Sequence, residues 1–170
     1  MSAMLTNNTD PDRKIKHCYG FGLFYSSFNA VKLIIGIKIR GITMALIPFD
    51  DRDGYIWLDG QMVPWREAKT HTLCHGLHYA SSVFEGERSY NGKIFKSAEH
   101  TARLRASCNF LDFDLPMSDE EMENIKYRVL DANEISDGYL RPFCWRGSEM
   151  MAISAQETTI HVGVAAWQWP

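Results

Sequence analysis

The chain has 170 residues, 45% hydrophobic and 23% charged, with a formal net charge of −3. That balance excludes wholesale disorder and a collagen-like chain, and the mild acidity excludes the basic footprint of a nucleic-acid binder or of a protein drawn to anionic membranes. At roughly 100 to 200 residues per domain the length allows one domain plus a tail, and a small molecule or another protein is the expected partner.

Residues 1–43 hold six Lys or Arg against two Asp, so this stretch is net +4 and the remainder −7. The apolar runs 21–31 and 33–37 are split by Lys32 and fall short of the roughly 20 residues that span a bilayer, so no transmembrane helix is expected. A basic run ahead of an apolar one has the outline of a signal sequence, but no small-residue cleavage site follows. The preferred reading is a leader over 1–43, disordered or assigned from too early a methionine, with the globular pattern over 44–170 opening at Met44.

From Tyr55 apolar residues alternate up to Asp59-Gly60 and resume at Gln61-Met62-Val63, the signature of a β-hairpin. A second hairpin is predicted over 84–95 around Asn91-Gly92. A helix begins at Ser97, with Thr101, Leu104, Cys108 and Leu111 on one face, and is expected to stop near Pro116. Ser118 with Glu121 three residues on forms a capping box for a second helix, which buries Met122, Ile125 and Val129 and ends near Asn133. Residues 138–145 and 159–167, rich in β-branched and aromatic side chains, read as strands. Hairpins, two helices, then strands, without βα alternation, define an α+β fold with an antiparallel sheet. The chain stops at Trp169-Pro170 directly after a hydrophobic strand, and a domain cut short there is the expectation.

Cysteines 18, 74, 108 and 144 form no CxxC and read as reduced thiols of a cytoplasmic protein, with neither disulfide nor zinc. His71, His75 and His78 have metal-ligand spacing, but no carboxylate lies between them and Gly76 makes a helix there unconvincing, so histidines satisfied by hydrogen bonds are favoured over a metal site. Ser81-Ser82 near His78 and Glu85 lacks the nucleophile-elbow pattern. No Walker loop and no dinucleotide-binding glycine motif occurs. Four arginines stand out, Arg88, Arg103, Arg105 and Arg141, because guanidinium suits bidentate binding of phosphate or carboxylate. Taken singly each reads first as a surface charge. Arg141 is the exception, since in an apolar strand it needs a partner or a ligand.

Several motifs together, Trp57-Leu58-Asp59-Gly60, Trp65-Arg66-Glu67-Ala68-Lys69, His75-Gly76-Leu77-His78-Tyr79, Ser82-Val83-Phe84-Glu85-Gly86, His100-Thr101-Ala102-Arg103-Leu104 and Tyr139-Leu140-Arg141-Pro142, resemble in order and spacing the N-terminal domain of branched-chain amino-acid aminotransferases, the fold-type IV (class IV) pyridoxal 5'-phosphate enzymes. The resemblance implies the smaller α+β domain of that fold. It implies that Arg103 holds the cofactor phosphate and that Phe84, Gly86 and Arg88 wall the substrate pocket. It further implies that Tyr139 contacts the substrate α-carboxylate, that Arg141 engages the side-chain carboxylate of glutamate, and that Tyr79 and Ile153 reach the neighbouring subunit's pocket in a homodimer or higher homo-oligomer. The implied reaction is amino transfer from leucine, isoleucine or valine to 2-oxoglutarate. The family's Schiff-base lysine lies in a C-terminal domain, and none of Lys69, Lys93, Lys96 or Lys126 matches it, so these 170 residues alone are expected to be inactive. Met150, where the family often has glycine, leaves the detail of the pocket open. Rival readings are a D-amino-acid aminotransferase or aminodeoxychorismate lyase of the same fold, and a non-catalytic dimerisation module.

Overall fold

A computed structural model describes residues 47–169. The leader expected over 1–43, and Cys18 with it, lies outside the described residues. The elements in chain order are β1 (Tyr55–Leu58), β2 (Gln61–Pro64), a 3-10 turn (Trp65–Glu67), α1 (His75–Tyr79), β3 (Ser82–Phe84), β4 (Glu87–Tyr90), β5 (Lys93–Ile94), α2 (Ser97–Phe110), α3 (Asp119–Ala132), β6 (Gly138–Arg146) and β7 (Ile160–Trp167). The fold is α+β. Every strand pairing is antiparallel, in the order β2-β1-β7-β6-β4-β5, with β3 also on β6.

The first hairpin forms as its sequence dictates, with Asp59 and Gly60 both at positive φ, the turn geometry that matches strand twist. Asp59 then binds the Val162 amide at 2.9 Å and His161 Nδ1 at 2.7 Å, tying the turn to β7. The second predicted hairpin is shorter than expected. Its return over Asn91-Gly92 is present, but Phe84 belongs to the separate strand β3. Both β3 and β4 run along β6 in one unbroken register, Phe84 opposite Phe143 and Glu87 opposite Leu140. The break falls opposite Pro142, which accepts from the Glu85 amide at 2.9 Å but has no N–H to return.

Helix α3 starts as read, with Ser118 Oγ accepting from the Glu121 amide at 3.1 Å, and buries Met122, Ile125 and Val129. Helix α2 ends at Phe110, not near Pro116, and Leu111 is 36% exposed rather than core. Beyond it Phe113 and Leu115 are drawn over the core in irregular chain, where Arg105 donates to the Leu115 and Met117 carbonyls and pairs with Asp119. Arg105 is therefore a tie between α2 and the start of α3. Both long helices pack on one face of the sheet, around Leu104, Met122, Val129, Leu140 and Val164. The five residues of α1 form a helix where none was expected, and Gly76 lets it lie close on β6, since a Cβ there would lie 3.1 Å from that of Trp145.

Candidate functional site

Strand β6 alternates strictly between buried and half-buried residues. Leu140 and Cys144 point to the helices, while Tyr139, Arg141, Phe143 and Trp145 point to the other face. Their cross-strand neighbours on β7 are Trp167, Ala165, Gly163 and His161. The small residues leave room: a Cβ on Gly163 would stand 2.3 Å from the Phe143 ring, so only glycine lets that ring lie down. Trp145 stacks between Phe143 and His161. The result is an aromatic floor with the Arg141 cation set in it. The Arg141 guanidinium lies 4.2 Å from the centre of the Phe84 ring, with Tyr139 and Trp167 at 5.3 and 5.9 Å, and its Nη2 donates to Tyr139 Oη at 3.0 Å.

Gly86 stands beside this group, and a Cβ there would meet Tyr139 Oη at 2.3 Å. Arg88 pairs across from Tyr139 and lies over the Tyr90 ring. Phe84, Gly86, Arg88, Tyr139 and Arg141, predicted separately, thus share one face. A hollow of about 440 Å³ opens beside them, lined by Ile56, Leu58, Leu77, Phe143 and Trp145 together with Phe84 and Arg141. Arg88 Nε, Arg141 Nε, Trp145 Nε1 and Trp167 Nε1 are buried here without a hydrogen-bond partner. All four are donors, so what this face lacks is acceptors, and a carboxylate supplies them.

The predicted phosphate ligand, Arg103, approaches the same edge strand from the helix side. Glu85, 4% exposed, accepts from Arg103 Nε at 2.7 Å and Nη2 at 2.6 Å, and from His100 Nδ1 at 2.8 Å. That contact requires the imidazole proton on Nδ1, since an ionised carboxylate only accepts. Burial pushes the Glu85 carboxyl up, but the hydrogen bonds from Arg103 and His100 outweigh it and hold it below its ordinary 4.5. The Arg103 side chain is 65% exposed. Of its five N–H groups two are spent on Glu85, and the others, along the outward edge, are what a phosphate needs.

Next to this cluster Lys126, fully buried, stands 2.9 Å from Glu87 Oε1 as an ion contact and donates to Thr101, Ser97 and Glu123. One ammonium serves two carboxylates. Burial raises the Glu87 carboxyl above its ordinary value in spite of Lys126, whereas bonds from Ser97, Thr101 and Lys126 outweigh burial at Glu123 and lower it.

Tyr79 and Ile153 are placed away from the arginines and close to each other's anchor. Tyr79 stacks on the His75 ring at 4.5 Å, and His75 Nε2 contacts the carbonyl of Ala152 at 2.9 Å. Ile153 is 92% exposed and Tyr79 46%, so both apolar side chains face outward. The histidines are satisfied by hydrogen bonds as favoured: His75 also by Ser81 Oγ, His78 by the Thr72 carbonyl and His71 by the Leu73 amide. Among the described residues no group of His, Cys, Asp or Glu could hold a metal ion. Cys74, Cys108 and Cys144 are free and buried, and no helix is long and apolar enough to cross a membrane.

Sequence reasoning missed Glu85, His100, Glu87 and Arg146 as functional or anchoring residues. Arg146, buried on the helix side, binds the Ala155 carbonyl at 2.6 Å and Thr158 Oγ1 at 3.1 Å and so fixes the loop that carries Ile153. A charge at a core-facing position of an alternating strand was the available signal.

On one side of the sheet an exposed arginine, Arg103, is gripped by a buried carboxylate, and on the other an apolar hollow lies beside unpaired donors. Residues 82–170 match the family model of Amino-transferase class IV, and the chain belongs to that family. It is 41% identical, over 70% of its length, to the branched-chain-amino-acid aminotransferase of Pseudomonas aeruginosa. The structure matches that of the Escherichia coli branched-chain amino acid aminotransferase with a TM-score of 0.66 and 34% identity over 69% of this chain and 42% of the other. It also matches a T.th. branched-chain amino acid aminotransferase in complex with N-(5'-phosphopyridoxyl)-L-glutamate, with a TM-score of 0.66 and 37% identity, over 69% of this chain and 42% of that one. The same enzyme was solved with pyridoxamine 5'-phosphate and with 4-methylvaleric acid, so pyridoxal-type phosphates belong to the family. The chain spans about 40% of the length of the curated relatives it matches.

Proposed function

We propose that this chain forms the smaller part of a pyridoxal 5'-phosphate-dependent transaminase acting between branched-chain L-amino acids and 2-oxoglutarate. The observation that carries the reading is the aromatic floor around Arg141 with its unpaired donors, because it serves both kinds of substrate. Apolar walls, Phe84 and the hollow beside it, suit a branched aliphatic side chain. The Arg141 guanidinium, with Nε still free, suits the side-chain carboxylate of glutamate or 2-oxoglutarate.

The cofactor, when bound, supplies an electron sink that weakens the bonds at the amino acid's α-carbon. Arg103 would hold its phosphate by the outward edge of the guanidinium. Tyr139 Oη accepts from Arg141, so its own O–H is free to turn outward and donate to an α-carboxylate. Gly86 keeps the strand close enough for that hydroxyl, and Arg88 closes the wall. Phe143 and Trp167, half-buried beside Arg141, would limit water at the carboxylate sites, which strengthens the charged contacts made there. Exposed Tyr79 and Ile153 would complete the pocket of a neighbouring copy in a homodimer. The buried, free thiols fit a cytoplasmic protein.

Supplied with cofactor, the 170 residues alone are expected to make no glutamate from 2-oxoglutarate, whereas a whole protein of which they form the smaller part is expected to do so with leucine, isoleucine and valine. Arg141→Ala is expected to raise KM for 2-oxoglutarate far more than KM for leucine. Turnover of D-alanine, or of aminodeoxychorismate to pyruvate, in place of these reactions would overturn the assignment. The lysines among these 170 residues are expected to give no single borohydride-reducible adduct with the cofactor. Lys126 is engaged on every side, and Lys69 is exposed at the rim of the hollow.

A further inference from the structure

We propose that Glu85, assisted by His100, is a positioning residue: it grips one edge of the Arg103 guanidinium so that the other edge faces outward for a phosphate, and so couples that grip to the substrate wall. The proposal rests on the reading of Arg103 as the phosphate ligand.

The geometry has three parts. Glu85 Oε1 and Oε2 take Nε and Nη2 of Arg103 in the bidentate arrangement that fixes the plane of a guanidinium. His100, one helical turn before Arg103 on α2, donates to the same carboxylate and stops it from rotating. The carboxylate cannot drift either, because the Glu85 amide is bonded to the Pro142 carbonyl on β6.

Strand alternation supplies the coupling. Glu85 and Glu87 point to the helices, whereas Phe84, Gly86 and Arg88 between and beside them point to the aromatic floor. Glu87 meets Lys126 of α3, which in turn binds Ser97 and Thr101 of α2. The edge strand that forms the pocket wall is thereby clamped at two successive inward positions to the helix that carries Arg103. An exposed arginine held only by solvent would lose side-chain freedom each time it bound phosphate; one already held by Glu85 loses less.

The test uses the 170-residue chain labelled with 15N. The Arg103 Nε–H resonance, assigned by its loss in Arg103→Lys, is expected to exchange slowly with solvent in the parent, much faster in Glu85→Gln, and a few-fold faster in His100→Ala. Amide spectra of each variant report whether the fold is kept, and His100→Ala, at a helix surface, carries the test if Glu85→Gln does not fold. In parallel, pyridoxamine 5'-phosphate and pyridoxamine are titrated into each protein. The parent is expected to prefer the phosphorylated form, Arg103→Lys to reduce that preference, and Glu85→Gln to reduce it about tenfold, the effect of one hydrogen bond to a charged group. Unchanged Nε–H exchange in folded Glu85→Gln, or in His100→Ala where that variant stands in, overturns the positioning role. So does an unchanged phosphate preference in Glu85→Gln when Arg103→Lys abolishes it. A preference absent from the parent, or untouched by Arg103→Lys, overturns instead the reading of Arg103.

Discussion

The two faces of strand β6 carry opposite chemistry within one stretch of nine residues. Toward the helices the charged groups are paired, with Arg146 bonded to carbonyls, Glu85 to Arg103 and His100, and Lys126 to two carboxylates, and the hydroxyl of Ser89 is left without a partner. Toward the other side Arg88, Arg141, Trp145 and Trp167 hold donors without acceptors. A folded chain leaves buried polar groups unpaired at a free-energy cost, and four such donors gather on this one face, beside a hollow. The difference separates residues that stabilise the fold from those proposed to meet a ligand, and substitutions on each face should tell the two apart.

The largest effect is expected at Lys126. Lys126→Met leaves Glu87 and part of Glu123 without a countercharge inside the protein, and a broken buried ion pair costs about 3–5 kcal/mol. Adding Glu87→Leu should restore much of that loss, since an apolar pair of similar volume is often as stable as the ions. Urea denaturation of the two variants measures both numbers. A double variant no more stable than Lys126→Met would mean that the pair is not the source of the effect.

Somewhat smaller is the contrast across the strand. Leu140→Ala, on the packed face and fully buried, should cost about 3 kcal/mol through lost contacts and the cavity left behind. Phe84→Ala on the other face, where that ring is 59% exposed, should cost about 1 kcal/mol or less. The same two variants should reverse their order when leucine binding by the whole protein is measured. Equal stability losses would erase the distinction between the faces.

This division was legible in the sequence only where the signal is local. The β-branched and aromatic run over 138–145, the Asp59-Gly60 turn and the Ser118 cap each depend on a few adjacent residues, and the structure has a strand, a hairpin and a capped helix there. The end of α2 was placed near Pro116 because proline is the nearest breaker in the sequence, whereas the helix ends at Phe110 and the chain beyond it is held by Arg105 at the Leu115 and Met117 carbonyls. The gap between β3 and β4 is caused by Pro142, more than 50 residues further on. At the site, Arg141 announced itself as a charge in an apolar strand. Glu85 did not, because its partner Arg103 is 18 residues away and on another element. Arg103 itself was singled out by residue type, and the role assigned to it came from family resemblance rather than from spacing.

The acid response of the packed face should be smaller than either pair of substitutions and has two phases. Glu87 titrates above 4.5 in the fold, because burial outweighs Lys126. Its folded form takes up a proton before the unfolded chain does, so stability rises as pH falls from neutral through that folded value toward 4.5. Glu85 and Glu123 titrate below 4.5 in the fold. Their contribution is complete above 4.5 and is lost as pH falls through their folded values. Denaturation midpoints across this range should therefore rise and then drop. Glu87→Gln should remove the rise and leave the drop, and a monotonic profile in the parent would contradict the assignment of opposite shifts to neighbouring carboxylates.

The smallest effect on stability, and the sharpest on function, is expected at Tyr139→Phe. The hydroxyl accepts one bond from Arg141 at 3.0 Å on a half-buried surface, so its loss should change folding free energy by less than about 1 kcal/mol. The guanidinium would keep its places over Phe84 and Trp167, which do not depend on that oxygen. The donor proposed for an α-carboxylate, however, would be gone. Any substrate that carries only that carboxylate, such as leucine, should bind more weakly by about tenfold, the measure of one charge-assisted hydrogen bond. Glutamate, held also through Arg141, should lose less. Comparing KM for leucine and glutamate in this variant separates a hydroxyl that meets the substrate from one that only steadies the arginine: in the second case glutamate would suffer more, because the Arg141 head group alone would be set loose.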